Sequence, residues 1–446
     1  MRGTTINIVG AGLAGPLLAI LLARRGLTVR LFERRSDPRA AAPEAGRSIN
    51  LALAARGIRA LERAGVMERV RPLLIAMRGR MLHEVGRTPH LLPYGQRDEE
   101  VIFSVGRAAL NRLLIEEAAR LPGVALGFDQ ACEGICGEPA ALAMHDRRTG
   151  RHYELDAAPT IAADGAGSAV RTGLAQRGAI RVREEPLEHD YKELALPPRA
   201  GRPALEPHAL HVWPRHGFML IALPNPDATF TATLFLPRTG PLSFAALGDE
   251  SAVRALFARE FPDAEALVPD LAEQFRAHPQ GHLGTVHASP WHLGDRVLLV
   301  GDAAHPIVPF HGQGMNAAFE DCAALDALID RHEDWGALFA EFESARCVNA
   351  AAIARMAVEN YAEMRERVLD PKFLRQQAWA RELEGRFPNR FIPRYAMVMF
   401  HPEIPYAEAL RRGLVEQEIL DLLDQRAGGA AALDHELARR LIEERL

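Results

Sequence analysis

Apolar positions in the first third of the chain come in short runs punctuated by glycine. Residues 6–9 are an apolar run that ends in Gly10, Gly12 and Gly15, spaced G-x-G-x-x-G, and residues 16–23 continue with helical length and composition. Strand, glycine turn and helix in that order predict a dinucleotide-binding βαβ unit. Gly10 permits the tight turn, Gly12 lets backbone approach a pyrophosphate, and Gly15 lets helix and strand pack closely. The N–H groups of the first helical turn, with Leu13 and Ala14, then face the phosphates. A second apolar strand, residues 28–32, ends in Glu33, 23 residues after Gly10. From there a carboxylate accepts hydrogen bonds from an adenosine ribose.

The pattern then alternates between two textures. A polar loop from Arg34 to residue 46 leads into a strand-like run, 47–53, whose polar groups and Ala52 are placed to line the cofactor. Residues 56–64 read as a helix closed by Gly65, and residues 77–94 as a two-stranded excursion carrying Arg80, His83 and Tyr94. Arg107 opens another helix with an apolar stripe; residues 124–128 and 142–153, with a turn at 147–150, predict a β-meander. The strand 160–163 runs into Asp164-Gly165, a second junction whose backbone approaches a ligand. Between 181 and 280 the texture changes to strands (209–213, 218–223, 229–236) followed by helices (251–261, 263–277), which predicts one antiparallel sheet.

Nucleotide-domain texture returns at 296–300, a buried-strand run ending in Gly301-Asp302. The loop 303–314 contains Phe310, His311 and Gln313, and a helix follows from about Met315 to 329. Asp302 is read as holding polyol hydroxyls, and the helix N-terminus, with Gly314, Met315 and Asn316, as stabilising negative charge on a ring. Beyond 335 the chain is nearly all helical; residues 407–446 are charged and amphipathic, broken at Gly428-Gly429, and predict a packed cap. The expected fold is α/β: a Rossmann-like dinucleotide-binding domain (1–75, 97–180, 281–365), an inserted antiparallel β-sheet substrate domain (76–96, 181–280) and a C-terminal helical region (366–446).

Composition narrows the classes. Hydrophobic content of 48% and charged content of 25% are those of a soluble globular protein, and a net charge of −5 gives no footprint for nucleic acid. Cys132, Cys136, Cys322 and Cys347 are too few for a disulfide framework and lack partners at zinc spacing, so no metal site is expected. The first strand begins almost at once and no apolar stretch reaches the roughly 18 residues of a membrane span. A cytoplasmic protein without a membrane anchor, monomer or homodimer, is the expectation.

The Gly10–Gly15 turn, Asp164-Gly165 and Gly301-Asp302 together resemble the three landmarks of the class A flavoprotein aromatic hydroxylases. Residues 46–53 (GRSINLAL), 190–194 (DYKEL), 211–215 (HVWPR), 218–225 (FMLIALPN), 301–305 (GDAAH), 308–316 (VPFHGQGMN) and 359–365 (ENYAEMR) are similar to the branch that hydroxylates L-kynurenine. The resemblance runs from residue 4 to about 400. Ala318 departs from it where a glycine is expected, and the C-terminus lacks the hydrophobic anchor of eukaryotic members, as in a bacterial soluble form. It implies tightly but noncovalently bound FAD, transient NADPH as reductant and O2 as co-substrate. Oxygen is captured as a flavin C4a-hydroperoxide and delivered to the ring carbon ortho to the amine, in the kynurenine pathway of tryptophan degradation. The resemblance also assigns a cofactor contact to Arg107, substrate binding to Arg80, Tyr94, Asn360 and Tyr395, and cavity lining to Phe310, His311 and Gln313. No catalytic side chain is expected, because the flavin carries the chemistry. Another amino-aromatic substrate, an oxidase or halogenase, or a non-catalytic flavin-binding protein are the alternatives.

Overall fold

The computed structural model describes residues 4–40, 50–156, 159–366, 370–428 and 432–446. Residues 41–49 of the loop and strand-like run, and Gly429, lie outside them. The chain divides into two compact units: Met1–Leu74, Ser104–Leu187 and Leu283–Ala350 in the first, Ile75–Phe103, Glu188–His282 and Ala351–Leu446 in the second.

The first unit is built on a six-stranded sheet in the order His292–Leu293, Val297–Leu299, Thr160–Ala162, Thr5–Val9, Thr28–Phe32, Val124–Gly127. All pairings are parallel except the antiparallel edge strand His292–Leu293. Its central strands are continuous apolar runs, with Ile6, Ile8, Ile161, Leu298 and Leu299 fully buried, as a parallel sheet covered on both faces requires. The meander differs from the sequence reading. Val124–Gly127 closes the edge of the parallel sheet, and the antiparallel partners of Ala141–Asp146 are Arg151–Asp156 and Gln130–Cys136. The strand Gln130–Cys136 hides its alternation because its register with Ala141–Asp146 shifts at a bulge and Gly134 takes φ +146°.

The second unit carries a seven-stranded sheet in the order Gln280–Ser289, Arg181–Leu196, Phe230–Pro237, Phe218–Pro224, Leu210–Arg215, Gly79–Leu82, His90–Pro93. The two strands of the early excursion pair with each other and join this sheet through a parallel contact of Gly79–Leu82 with Leu210–Arg215. Trp213, Phe218, Leu220, Phe230 and Leu234 pack under Phe257, Phe261 and Leu271 from the helices that follow. The helical stretch read as 263–277 is two pieces, Pro262–Glu265 and Leu271–Ala277. Pro269 prevents a continuous helix, since the residue before a proline is driven out of the helical region.

Helices Pro371–Arg386, Arg394–Phe400, Tyr406–Ala427 and His435–Arg445 fall in the second unit with the sheet, whereas the sequence reading set 366–446 apart. Trp379, Leu383, Phe391, Ile419, Leu423 and Ile442 form their shared core. Helix Tyr406–Ala427 ends at Gly428 with φ +57°, the left-handed closure that favours glycine. No described helix is long and apolar enough to cross a membrane.

One carboxyl in these helices sets a pH dependence. Glu416 is buried, accepts a hydrogen bond from Ile392 N–H at 3.1 Å on Oε1, and leaves Oε2 buried without a partner among the described residues. Burial pushes its pKa up to about 8 from an ordinary value of 4.5. The unfolded chain ionises first, so this group lowers stability as pH rises from about 4.5 to about 8, and its effect levels off above that. Glu416→Gln keeps the acceptor and removes the ionisation. Denaturant unfolding is expected to find the variant more stable than wild type at about pH 8 and equal to it at about pH 4. The same difference at both pH values would mean that the carboxyl does not titrate in the fold.

Candidate functional site

In the first unit the glycine turn is closed by contact. A Cβ at Gly10 would lie 2.5 Å from the Ala163 carbonyl oxygen, and one at Gly15 would lie 1.9 Å from the Gly10 oxygen. At Gly12 nothing comes within 4 Å, so that backbone faces open space. Leu13 caps the helix Ala14–Arg24 that starts there. Glu33 is buried; its Oε2 accepts from Ala11 N–H at 2.8 Å, and its Oε1 accepts from Arg35 backbone and side-chain N–H at 3.0 and 2.8 Å. Burial alone would raise the Glu33 pKa, but these bonds and the Arg35 charge hold it below the usual range. Asn111, which the sequence reading did not single out, donates to the Ala11 and Gly12 carbonyls at 2.8 and 2.6 Å. It ties down the carbonyls of the turn.

Gly10, Gly12, Glu33, Arg34, Arg107 and Asp164 line one groove. Asp164 Oδ2 accepts from Val170 N–H at 3.3 Å, while its buried Oδ1 has no partner among the described residues. Burial raises the Asp164 pKa. Arg171, also missed, donates to the Ala303 and Asp302 carbonyls at 2.9 and 3.3 Å and to the Ala166 carbonyl. One arginine thus joins the loop after Asp164 to the turn that carries Asp302.

Asp302 keeps an accessible side chain between buried Gly301 and Ala303. Crowding by surrounding protein nevertheless raises its pKa, against the opposing charges of His305 and Arg107. Accessible surface deep in the unit is what the wall of an open cleft presents. The turn beneath it is fixed by Asp321, fully buried, which accepts from Gly301 N–H at 3.0 Å, His305 Nε2 at 2.6 Å and Arg346 Nε at 2.6 Å. At the N-terminus of helix Gly314–Leu328, Met315 is buried and Gly314 has open space at its α-carbon. Asn316 donates to the Ala52 and Gly312 carbonyls, both at 2.8 Å, and accepts from Ala54 N–H at 2.9 Å. Its amide is occupied with backbone. Phe310, His311 and Gln313 are all buried. Taken together, the open backbone at Gly12, the unpartnered Asp164 oxygen and the accessible Asp302 carboxylate fit the phosphates and hydroxyls of FAD.

The second unit holds a different pocket. Arg80 on strand Gly79–Leu82, Tyr94 just after its partner strand, Tyr395 on helix Arg394–Phe400 and Glu363 all line it. The two phenol rings stack at 5.5 Å with 13° between planes, and the Arg80 guanidinium lies 5.0 Å from the Tyr395 centroid and 5.8 Å from that of Tyr94. Glu363 Oε1 is 3.7 Å from Arg80 Nη1. Arg80 Nε and Tyr94 Oη are buried without partners among the described residues. Burial pushes the Tyr94 hydroxyl well above 10 and raises Tyr395 as well, so both are neutral donors. Such a set suits an anion with several acceptor oxygens. Asn360 is not among the lining residues; it is buried one helical turn before Glu363 and donates to Met364 Sδ at 3.5 Å. Glu363 was overlooked, although the helical i, i+3 step from Asn360 offered a signal for it.

Comparison with known proteins agrees with this geometry. The FAD binding domain family matches residues 3–333. A solved structure of 2-methyl-3-hydroxypyridine-5-carboxylic acid oxygenase has the same fold, with TM-score 0.66 and 19% identity over 83% of this chain and 95% of that one. Fold and family match define a flavoprotein that binds FAD. Kynurenine 3-monooxygenase of Xanthomonas axonopodis pv. citri (strain 306) is 48% identical over 417 residues, 93% of this chain and 91% of that protein. The enzyme of the same name from Xanthomonas oryzae pv. oryzae (strain MAFF 311018) is 46% identical over 443 residues, 99% and 97% of the two chains. The chain belongs to the kynurenine 3-monooxygenase family.

Asp321 gives the cradle its own acid limit. Burial would raise its pKa, but His305 and Arg346 outweigh burial and hold it at about 2, against an ordinary 3.8. A depressed carboxyl contributes stability above its unfolded value and loses it as pH falls, here from about 3.8 towards 2. Asp321→Asn is expected to lack this acid-dependent component and, by leaving Arg346 buried without its carboxylate, to cost about 3–5 kcal/mol near neutral pH. Unfolding followed by circular dichroism across acid pH checks both effects. An unchanged acid profile would remove Asp321 from its central place.

Proposed function

We propose that this protein hydroxylates L-kynurenine to 3-hydroxy-L-kynurenine at the expense of NADPH and O2, releasing NADP+ and water. FAD, when bound, would supply the redox chemistry that couples NADPH oxidation to insertion of one oxygen atom into the aromatic ring. One observation carries the substrate: an arginine whose buried Nε has no partner among the described residues, beside two neutral phenols, in a chain 46–48% identical to kynurenine 3-monooxygenases.

The side chains have separate tasks in this reading. Arg80 meets the substrate carboxylate with its planar fork, and Tyr94 and Tyr395 complete the anion site as hydroxyl donors. Glu363, close to Arg80, faces the neighbouring α-ammonium of the same amino acid. Asn360 supports the helix turn that presents Glu363. Phe310, His311 and Gln313 keep the reaction cavity dry, which protects reactive oxygen from wasteful release as H2O2. In the cradle, the N–H groups at Gly12, Leu13 and Ala14 serve the pyrophosphate, and Glu33 the adenosine ribose. Asp302 takes ribityl hydroxyls, while Gly314 to Asn316 offer the helix N-terminus to the ring. Arg34, Ala52, Arg107 and Asp164 complete the contacts. The cytoplasm is the proposed place of action.

The decisive assay is NADPH oxidation by the flavin-loaded protein with and without L-kynurenine, with the product identified by mass. Stimulated oxidation that yields only H2O2 would favour another amino-aromatic substrate, and no stimulation would favour a non-catalytic flavoprotein. The carboxylate assignment has its own test. Arg80→Ala leaves a carboxylate buried and unpaired, which costs about 2–5 kcal/mol. That is roughly 30- to 4,000-fold in kynurenine affinity. The decarboxylated amine analogue is expected to bind wild type poorly and to lose much less in the variant, and flavin content is expected to stay at the wild-type level. Equal losses for both ligands in paired titrations would sink the carboxylate assignment.

A further inference from the structure

The three-stranded antiparallel sheet of the first unit presents a cluster that the flavin chemistry does not use. The turn at 147–150 sets Asp146 opposite Arg151, which makes His145 the direct cross-strand neighbour of His152. Their rings stack with centroids 4.2 Å apart and 10° between planes. On the third strand the register with Ala141–Asp146 steps from Gly134–Ala143 to Cys132–Met144, so Glu133 is the extra residue of a β-bulge. A bulge re-aims the side chain it carries. Here the carboxylate meets both imidazoles: Oε1 is 3.2 Å from His145 Nδ1 and Oε2 is 3.3 Å from His152 Nδ1.

These separations have a chemical reading. Donors about 2.0–2.1 Å from a tetrahedral zinc ion lie about 3.3 Å from one another, the edge of the tetrahedron. One ligand atom from each of the three side chains falls within 4.8 Å of the others, and this is the only such group of three among the described residues. Each imidazole Nδ1 stands at about the tetrahedral-edge distance from one of the two Glu133 oxygens, and two imidazole nitrogens with a carboxylate suit zinc-class divalent ions, with water in any remaining position. Calcium and magnesium prefer all-oxygen shells. His152 and Glu133 have side chains 65% and 46% exposed, so an ion reaches them directly from solvent.

We infer that Glu133, His145 and His152 form a binding site for one zinc-class divalent cation, which cross-links all three strands of this sheet. Gln130 and Cys132, on the strand that carries Glu133, line the dinucleotide groove, so the ion stiffens one wall of the cradle without entering it. Sequence spacing concealed the site, because the two histidines are brought together by a hairpin and the glutamate by a bulge.

The test is titration of the flavin-loaded, chelator-treated protein with zinc chloride in competition with a chromophoric chelator. One zinc per chain is expected. Glu133→Gln and His152→Ala are each expected to weaken binding by about 10- to 100-fold or more, the range that even outer-sphere partners command. The His145→Ala/His152→Ala double variant is expected to bind none at this site while keeping wild-type flavin content and circular dichroism, since these are surface side chains. Cobalt(II) is expected to give tetrahedral d–d absorption at wavelengths beyond the flavin bands in wild type and not in the double variant. Zinc is expected to raise the unfolding temperature of wild type alone. No zinc uptake, equal uptake by the double variant, or displacement of zinc by calcium would reduce the cluster to a histidine stack paired with a glutamate.

Discussion

The first unit depends on a buried carboxylate that is never short of donors. Asp321 sits where an isolated charge is prohibitive, and burial is the largest influence on it. It stays ionised because Arg346, His305 and the Gly301 N–H all point at it. Arg346 in turn pairs with Glu320, which also holds Arg56. The consequence is local and mechanical. The strand Val297–Leu299 ends in a turn whose Gly301 is anchored from below, so Asp302 is presented upward by a backbone that has nowhere else to go.

The same logic repeats around the cradle with neutral side chains. Asn316 holds backbone on both sides of its own helix N-terminus, Asn111 holds the glycine turn, and Arg171 joins the loop after Asp164 to the turn at Asp302. Each of these side chains spends its hydrogen bonds on carbonyls and N–H groups of other segments. What stays available is the open space at the Gly12 α-carbon, the buried Asp164 Oδ1, which has no partner among the described residues, and the accessible Asp302 carboxylate. A ligand then binds to a backbone that needs no reorganisation, which is where affinity is most easily lost.

Much of this was legible in the sequence, and the division is physical. Local chemistry reads well: the G-x-G-x-x-G turn, the strand ending in Glu33 and the strand ending in Gly301-Asp302 are each dictated by neighbours in the chain. Long-range staples do not. Arg171 lies 131 residues from Asp302, and Asn111 lies 99 residues from Gly12, with no spacing rule to connect them. Strand Gln130–Cys136 was lost because a bulge breaks its period, and Arg181–Leu196 because its first half is charged and exposed. Asn316, which the sequence places at a helix N-terminus, also spends its amide on Ala52, Ala54 and Gly312, which no spacing rule foretells.

Two buried arginines show why burial alone does not reveal a site. Arg346 is 7% exposed and carries ion pairs to Asp321 and Glu320 at 2.6 and 2.7 Å, so its charge is answered within the fold. The Arg80 side chain is 11% exposed, but its one ionic neighbour, Glu363, stands at 3.7 Å, and its other close partners are two phenol rings. Ring faces attract a cation by about 0.5–2 kcal/mol. That helps to hold a guanidinium in position while its Nε–H stays without a partner among the described residues. The first arrangement is a structural one, because the charge is answered by carboxylates of the fold itself. The second keeps a desolvated cation in place with hydrogen-bonding capacity unspent, which is the condition for recognising an anion rather than for holding a fold together.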